Sequence, residues 1–292
     1  MLLTFALVAI LFYAGNFKLK EEERRENARL EKIQNTLATA GILAQAVSVY
    51  DLSQNKKIYG KNDEVALPLA SLAKIMTVAV ALRNHSLDDV VLVTPLAVNQ
   101  SGDYGILVYE KWKIKDLAEF TLISSANDGA YALAQGDESF LEKMNSKAKK
   151  IGAENTSFLD FTGLDINTNQ AGLPAEATAE AGAFASASDV NTMAFYALRA
   201  YPAEISNVTT LPEINLTSVS GFVHNFKNTN ILIGKIPNLL FSKTGFTDIA
   251  GGNLTIIFKD RRDHEIAVTV LGSTFDGRFS DMEKIVNLLY SS

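Results

Sequence analysis

Residues 66–77 read ALPLASLAKIMT, an apolar stretch in which Ser71 and Lys74 lie three positions apart just after a proline. Pro68 favours a helix start, and the three-residue spacing places the serine hydroxyl and the lysine amine on one helical face. The amine can then accept the hydroxyl proton. Burying a lysine among apolar residues is costly unless its amine is neutral, so these surroundings lower its pKa, as a general base requires. The stretch predicts a serine nucleophile activated by lysine.

The Ser-x-x-Lys spacing has little value by itself, because it occurs three times in the chain. The copy at Ser53 and Lys56 lies in a predicted hairpin turn, and the copy at Ser146 and Lys149 lies in a lysine-rich surface helix. Context therefore favours Ser71. Taken alone, even this copy is explained more simply by a helix-capping serine followed by a surface lysine.

Two further motifs supply groups that such a nucleophile would need. The sequence SAN at residues 125–127 follows an apolar run, and its hydroxyl and carboxamide can face one cleft from a tight loop. The hydroxyl could relay a proton and the carboxamide could bind a peptide carbonyl. The sequence KTG at residues 243–245 occurs once, between an apolar run and a glycine-rich stretch, as at the edge of a sheet. Each motif is weak singly, because SQN at residues 53–55 repeats the Ser-x-Asn spacing.

Composition excludes several classes of function. The 292 residues, 47% hydrophobic and 21% charged, can bury a sizeable core in one large domain or two small ones. A net charge of −6 argues against nucleic-acid binding, which normally requires a basic surface. The chain has no cysteine, which excludes disulfides and thiolate chemistry. Its three histidines are far apart in sequence, which argues against a metal site and against a Ser-His-Asp triad.

The first residues form a separate apolar segment, residues 2–17, that contains no charge. Crossing a bilayer takes about 20 apolar residues, so this segment is short for a span. We expect residues 1–17 to be a membrane anchor, with a cleaved secretory signal as the second choice and a buried core helix as the third. The mixed charges that follow predict a solvated helical stalk over residues 18–41, and residues 42–292 form the predicted domain.

Hydrophobic periodicity predicts strands at both ends of this domain and helices between them. Strand patterns occur at residues 44–52 and 57–59, which predict a hairpin, and again at 238–243, 253–258 and 265–271. Helical patterns occur at residues 72–82, 114–133, 140–151, 190–199 and 279–290. The simplest architecture is an α/β fold of the α+β kind. One antiparallel sheet is built from both chain ends and flanked by helices, with an inserted helical subdomain.

The three motifs gain specificity from their order. Ser-x-x-Lys, then Ser-x-Asn, then Lys-Thr-Gly on a late strand is the signature of class A β-lactamases and penicillin-binding proteins. The likeness extends to TLISSANDGA at residues 121–130, FTGLD at 161–165 and NTN at 228–230. Over residues 42–290 the chain resembles the D-alanyl-D-alanine carboxypeptidases, the low-molecular-mass penicillin-binding proteins, which have the β-lactamase/transpeptidase-like fold.

The resemblance implies a role for each motif residue. Ser71 would attack the amide between the two D-alanines of a peptidoglycan stem peptide, Lys74 would be its base, and Ser125 would relay a proton to the leaving amine. Asn127 would bind the substrate backbone, and Lys243, Thr244 and Arg278 would bind the terminal carboxylate. Gly245 would let the strand approach the substrate closely, and Phe246 would also belong to the substrate-binding residues. The backbone N–H groups of Ser71 and Phe246 would form the oxyanion hole. An exposed arginine at a helix start explains Arg278 equally well.

The resemblance also implies partners and a location. Peptidoglycan stem peptides would be the substrates and β-lactam antibiotics would be covalent inhibitors, with no cofactor, metal or nucleic acid required. The domain would work on the extracytoplasmic face of the bacterial membrane, held there by the N-terminal segment, or be secreted to the cell wall or periplasm.

Other activities stay open at this point. A D,D-endopeptidase that cuts peptidoglycan crosslinks would use the same residues. A β-lactamase would need a base that activates water, but no Glu-x-x-x-Asn segment follows Asn127. A non-catalytic cell-wall binding protein would not need the polar residues of the three motifs, all of which are present.

Overall fold

The computed structural model describes residues 2–102, 104–167 and 179–291. In these ranges the helices are α1 (Leu2–Thr39), α2 (Lys74–Asn84), α3 (Pro95–Val98), α4 (Ile114–Ile123), α5 (Asn127–Ala134), α6 (Phe140–Lys150), α7 (Ala187–Ala200), α8 (Pro202–Thr210) and α9 (Gly277–Ser291), with a 3₁₀ helix at Ala70–Ala73. The strands are β1 (Ala46–Asp51), β2 (Lys56–Lys61), β3 (Leu67–Pro68), β4 (Val90–Leu92), β5 (Lys111–Lys113), β6 (Ser157–Phe158), β7 (Asp165–Asn167), β8 (Ala179–Ala181), β9 (Ala183–Ala185), β10 (Glu213–Thr217), β11 (Val223–Lys227), β12 (Leu239–Thr247), β13 (Gly251–Lys259) and β14 (Glu265–Ser273).

The centre of the molecule is a five-stranded antiparallel sheet in the order β12-β13-β14-β1-β2. The first hairpin of the chain supplies β1 and β2, and the last third supplies the other three strands. These segments are rich in β-branched residues, which favour a pleated, buried surface. Val49 pairs with Val268 where the two chain ends meet. The predicted architecture, one sheet built from both ends of the chain with helices inserted between, is confirmed.

Helices cover both faces of the sheet, because successive side chains along each strand belong alternately to two cores. Ile256 and Val268 pack with residues of α9 and of the end of α1 in one core. Ile257 and Ala267, their chain neighbours, pack with α2, α4 and α7 in the other. The inserted helices therefore lie on one face of the sheet.

The end of α1 is part of the packed body. Leu30, Ile33 and Leu37 are buried in the core that covers one face of the sheet. The Gln34 Nε2 donates a hydrogen bond to the Ile58 carbonyl at 2.9 Å. From Leu30 onward the helix thus packs against the sheet, where the sequence predicted a solvated stalk. Among the described residues, no helix has the length and apolarity needed to cross a membrane.

The helical subdomain differs from prediction in two respects. The single helical pattern at residues 114–133 forms two helices, α4 and α5, because the chain turns at Ser125, whose φ is +58°. Helix α8 and the hairpin of β10 and β11 were not predicted, since their short segments are partly exposed and lack a long apolar period. The break at Ser125 places that residue in a turn between two buried helices.

Candidate active site

Ser71 lies in the 3₁₀ helix that leads from β3 into α2. The preceding residue, Ala70, has a φ of +48°, a left-handed conformation that residues with a side chain seldom adopt. Lys74 begins α2, and its Nζ lies 2.7 Å from the Ser71 Oγ. The serine and the lysine of the apolar motif are therefore within hydrogen-bonding distance of each other.

A glycine from a distant segment supports the turn before Ser71. Gly163 has a φ of +77°, and a Cβ at this position would lie 2.0 Å from the Ala70 carbonyl oxygen. Only a residue without a side chain fits so close to the backbone. The FTGLD segment that contains Gly163 thus packs directly against the nucleophile turn.

Lys74 is buried, and within the described residues its Nζ lies within hydrogen-bonding distance of three oxygen atoms. Besides Ser71, these are the Asn127 Oδ1 at 2.7 Å and the Thr162 carbonyl oxygen at 2.6 Å. In a neutral amine, the two N–H groups can donate to these two oxygens, which leaves the nitrogen lone pair for the Ser71 hydroxyl. Burial lowers the pKa of Lys74 to about 7, although the negative charges of Asp160 and Asp128 act in the opposite direction. The amine can therefore serve as a base near neutral pH.

Ser125 and Lys243 form a second hydrogen-bonded pair. The Lys243 Nζ donates hydrogen bonds to the Ser125 Oγ at 2.7 Å and to the Thr244 carbonyl at 2.7 Å. Burial holds the pKa of Lys243 well below its usual value, and the positive charges of Lys74 and Arg278 lower it further. The two lysines thus lie close enough for their charges to affect each other.

Asn127 begins α5 and is held on both ends of its carboxamide. Its Oδ1 accepts from Lys74, while its Nδ2 donates to the Ser101 carbonyl at 2.7 Å and to the Tyr104 hydroxyl at 3.2 Å. The two amide hydrogens are therefore both used within the protein. Ser101 and Tyr104 were not predicted to contribute, because no spacing pattern connects their loop to the motifs.

Strand β12 carries Lys243, Thr244 and Gly245. The Thr244 Oγ1 lies 2.6 Å from the Thr229 Oγ1, which belongs to the NTN segment. A Cβ on Gly245 would lie 2.8 Å from the Leu69 carbonyl oxygen and 3.3 Å from the Ser71 amide nitrogen. Glycine is needed here because the strand passes against the backbone of the nucleophile turn.

Arg278 lies in the first turn of α9 and is only 4% exposed. The alternative of an exposed arginine is therefore wrong, because the guanidinium is enclosed by backbone and by aromatic rings. Its Nη1 donates to the Gly245 carbonyl at 2.9 Å, and its Cζ lies 4.3 Å from the ring centre of Phe275 and 4.7 Å from that of Phe279. Burial lowers the pKa of Arg278 to about 10, against the opposing charge of Asp276.

The Arg278 Nε and the Phe246 side chain, which lie near each other, could both contact a ligand. Within the described part of the chain, the Arg278 Nε is buried without a hydrogen-bond partner. The Phe246 side chain, next to Gly245, is 41% exposed. The predicted residues thus form two walls around Ser71, with Lys74, Ser125 and Asn127 on one and residues 243–246 with Arg278 on the other.

The remaining Ser-x-x-Lys copies have other surroundings. The Ser53 Oγ, in the turn between β1 and β2, accepts a hydrogen bond from the Glu265 amide at 2.8 Å. Ser146 and Lys149 lie on α6, and Lys149 is exposed. The apolar context that favoured Ser71 thus selects the copy in which the lysine is buried.

Residues 33–274 match the model of the D-alanyl-D-alanine carboxypeptidase family, peptidase family S11. The D-alanyl-D-alanine endopeptidase of Pseudomonas aeruginosa is 30% identical over 230 residues, which cover 75% of this chain and 66% of that protein. The D-alanyl-D-alanine carboxypeptidase DacF of Bacillus subtilis is 30% identical over 258 residues, 85% of this chain and 62% of that one. The chain therefore matches less than two thirds of the length of these two relatives.

Solved structures show the same fold. Penicillin-binding protein D2 of Listeria monocytogenes, in an ampicillin-bound form, has a TM-score of 0.69 and 27% identity over 86% of this chain and 98% of that one. The Streptomyces K15 DD-transpeptidase has a TM-score of 0.75 and 24% identity over 86% and 98% of the two chains. The fold of this chain is that of the penicillin-binding D,D-peptidases.

Proposed function

The chain belongs to the D-alanyl-D-alanine carboxypeptidase family of serine peptidases, and we propose that it removes the terminal D-alanine from peptidoglycan stem peptides. The observation that carries the proposal is the position of Lys74. Its buried Nζ is 2.7 Å from the Ser71 Oγ, and two further oxygens, from Asn127 and Thr162, orient it. A buried amine with a pKa near 7 is matched to the task of a general base.

In the proposed reaction, Ser71 attacks the carbonyl carbon of the penultimate D-alanine while Lys74 takes the hydroxyl proton. The negative charge that develops on the carbonyl oxygen is stabilised by the backbone N–H groups of Ser71 and Phe246. The proton that Lys74 took then passes through the Ser125 hydroxyl to the leaving nitrogen, the amide bond breaks, free D-alanine departs and Lys74 is neutral again. Water then hydrolyses the ester on Ser71, with Lys74 again as the base.

The terminal carboxylate of the substrate fits the wall formed by Lys243, Thr244 and Arg278. Lys243 and Arg278 are buried, and burying a positive charge costs free energy unless a negative charge lies beside it. A bound carboxylate would supply that negative charge. The Thr244 hydroxyl can donate to a carboxylate oxygen while it accepts from Thr229. Selectivity for a peptide that ends in a free carboxylate would follow from this charge.

Asn127 takes the substrate backbone in this proposal, and its side chain must then exchange a contact. The Nδ2 already donates to Ser101 and Tyr104, and the longer of the two bonds, 3.2 Å, is the one to Tyr104. Displacing that contact by a peptide carbonyl would leave the number of hydrogen bonds on Asn127 unchanged.

A D,D-endopeptidase activity is the second candidate. The Pseudomonas aeruginosa relative is named as an endopeptidase and the Bacillus subtilis relative as a carboxypeptidase, at the same 30% identity. A β-lactamase is the third candidate. A non-catalytic cell-wall binding protein is the fourth, because a buried Lys74 beside Ser71 has no use in a protein that only binds. We place the domain outside the cytoplasm, at the membrane through its N-terminal segment or in the cell wall, because peptidoglycan lies there.

The test uses the purified protein with a fluorescent penicillin and with a peptide that ends in D-alanyl-D-alanine. We expect covalent labelling and release of free D-alanine, both lost in Ser71→Ala. The matched control is Ser146→Ala, which alters another Ser-x-x-Lys copy and should keep both activities. Labelling that persists in Ser71→Ala, or an intact protein that releases no D-alanine, would contradict the proposal.

A further inference from the structure

The rim of the cleft next to Arg278 carries two exposed aromatic side chains. Phe246 is 41% exposed and Phe275 is 53% exposed, and their rings meet edge to face with centres 5.0 Å apart. A single exposed apolar side chain is ordinary, but two aromatic rings in contact at the edge of a site form a patch that a ligand can cover. The position of this pair relative to the catalytic groups indicates which kind of ligand it would contact.

Arg278 connects the aromatic pair to the proposed carboxylate wall. Its guanidinium carbon lies 4.3 Å from the ring centre of Phe275 and 5.9 Å from that of Phe246. On its other side, its Nη1 donates to the carbonyl of Gly245. The pair therefore lies next to Arg278 of the carboxylate wall, which in the proposed binding mode is the side of the site that receives the leaving group.

The leaving group of a carboxypeptidase does not need such a rim. A terminal D-alanine has a methyl side chain, which is too small to cover two phenyl rings. A crosslink between stem peptides can present a different leaving group: a diamino diacid whose side-chain amine, on a carbon that also carries a carboxylate, is acylated by D-alanine. This residue has a carboxylate for the same wall, an aliphatic chain, and the second peptide beyond it.

We infer that Phe275, with the Phe246 ring, forms a subsite for the aliphatic chain of that larger leaving group and so directs the enzyme towards crosslinked peptidoglycan. This inference rests on the proposed function, whose catalytic residues it uses. The amide between D-alanine and the side-chain amine breaks, the acyl group passes to the Ser71 Oγ, and the amine leaves with the proton delivered through Ser125. Water then releases the shortened peptide.

The test compares two substrates of one enzyme: a crosslinked peptide dimer and a linear peptide that ends in D-alanyl-D-alanine. The measured quantity is the ratio of kcat/KM for crosslink cleavage to kcat/KM for D-alanine release. In Phe275→Ala we expect this ratio to fall about tenfold, in line with the loss of an apolar contact to one substrate only. Phe275→Leu keeps an apolar surface and should hold the ratio within about twofold of the wild type.

The matched control is Phe222→Ala, at a side chain that is 49% exposed in the turn before β11, and it should leave the ratio unchanged. An unchanged ratio in Phe275→Ala would overturn the inference. An equal fall in both activities would also overturn it, because Phe275 would then act only by packing on Arg278. If wild-type protein is labelled by penicillin and releases D-alanine but does not cut the dimer, this inference fails and the proposed function stands. Absence of labelling would refute both.

Discussion

The Lys243 Nζ donates a 2.7 Å hydrogen bond to the Ser125 Oγ, across 118 positions of sequence. Lys243 lies on β12 of the sheet, and Ser125 lies in the turn between α4 and α5 of the helical subdomain. The φ of +58° at Ser125 is unfavourable for a serine, and the surrounding helices hold it there. This contact joins the central sheet to the helical subdomain at the candidate site.

Ser125→Ala removes this contact and the proposed proton relay. We expect the rate constant for acylation by a fluorescent penicillin to fall about 100-fold, a usual effect for a group that transfers a proton in the transition state. Ser124→Ala, at the neighbouring half-buried serine, is the matched control and should retain the wild-type rate. An acylation rate for Ser125→Ala close to that of the control would show that Ser125 has no part in proton transfer.

The acylation rate should depend on pH through Lys74. Its pKa is about 7, and only the neutral amine can accept the Ser71 proton. The rate constant should therefore rise about tenfold per pH unit below about pH 7 and level off above it. Stopped-flow acylation between about pH 5 and 9 measures this profile. A rate that is flat across this range would contradict the assignment of Lys74 as the base.

Lys243→Met tests the cost of a buried cation. Because the pKa of Lys243 is lowered in the folded state, this residue binds fewer protons there than in the unfolded chain, and its contribution to stability rises with pH towards the ordinary lysine pKa. An apolar side chain of similar volume avoids this cost, so we expect the variant to be more stable at pH 7 by roughly 1 to 3 kcal/mol. Its advantage should shrink as the pH rises towards 10.

Two measurements check this prediction. Chemical denaturation at several pH values gives the free energy of unfolding, and penicillin labelling should show that the more stable variant is nearly inactive. A lower free energy of unfolding for Lys243→Met than for the wild type at pH 7 would mean that the hydrogen bonds to Ser125 and Thr244 outweigh the cost of burial.

Gly163→Ala should distort the nucleophile turn from a distance in sequence. The added Cβ would lie 2.0 Å from the Ala70 carbonyl oxygen, so the backbone before Ser71 would have to move. We expect a loss of roughly 3 kcal/mol in unfolding free energy and a large fall in the acylation rate.

The control for this change is Gly152→Ala. Gly152 also has a positive φ, +87°, but a Cβ there would have no heavy atom within 4 Å. This variant should lose only about 1 kcal/mol, from backbone strain, and keep its activity. Equal effects of the two substitutions would show that strain at positive φ, and not contact with Ala70, accounts for the Gly163 result.

The fold could be predicted from sequence because its strands are long and β-branched. The patterns at residues 253–258 and 265–271 lie within β13 and β14, and the hairpin at residues 44–59 corresponds to β1 and β2. The partly exposed strands β10 and β11 have no such signal. The break within residues 114–133 was hidden because apolar residues continue on both sides of Ser125.

The candidate site was predictable where side-chain type and spacing carry the chemistry. Ser71 with Lys74 and Ser125 with Lys243 each form a hydrogen-bonded pair. The Thr162 carbonyl that orients Lys74 could not be predicted, because every residue type has a backbone carbonyl. The Tyr104 contact with Asn127 depends on the path of a loop, and sequence periodicity does not describe loops.

Helix α1 extends from Leu2 to Thr39, and its turns from Glu26 onward contact the rest of the domain, first through the ion pair of Glu26 with Arg262 and then through Leu30, Ile33 and Leu37. With a rise of about 1.5 Å per residue, residues 2–25 span about 36 Å along the helix axis. The length of the helix therefore determines how far the start of α1 lies from the packed domain. Adding or removing four residues, slightly more than one turn, would change this distance by about 6 Å and rotate the start of the helix by about 40° relative to the site. Under the proposed function, the length of one helix would then set how far the site lies from whatever the first turns of α1 contact.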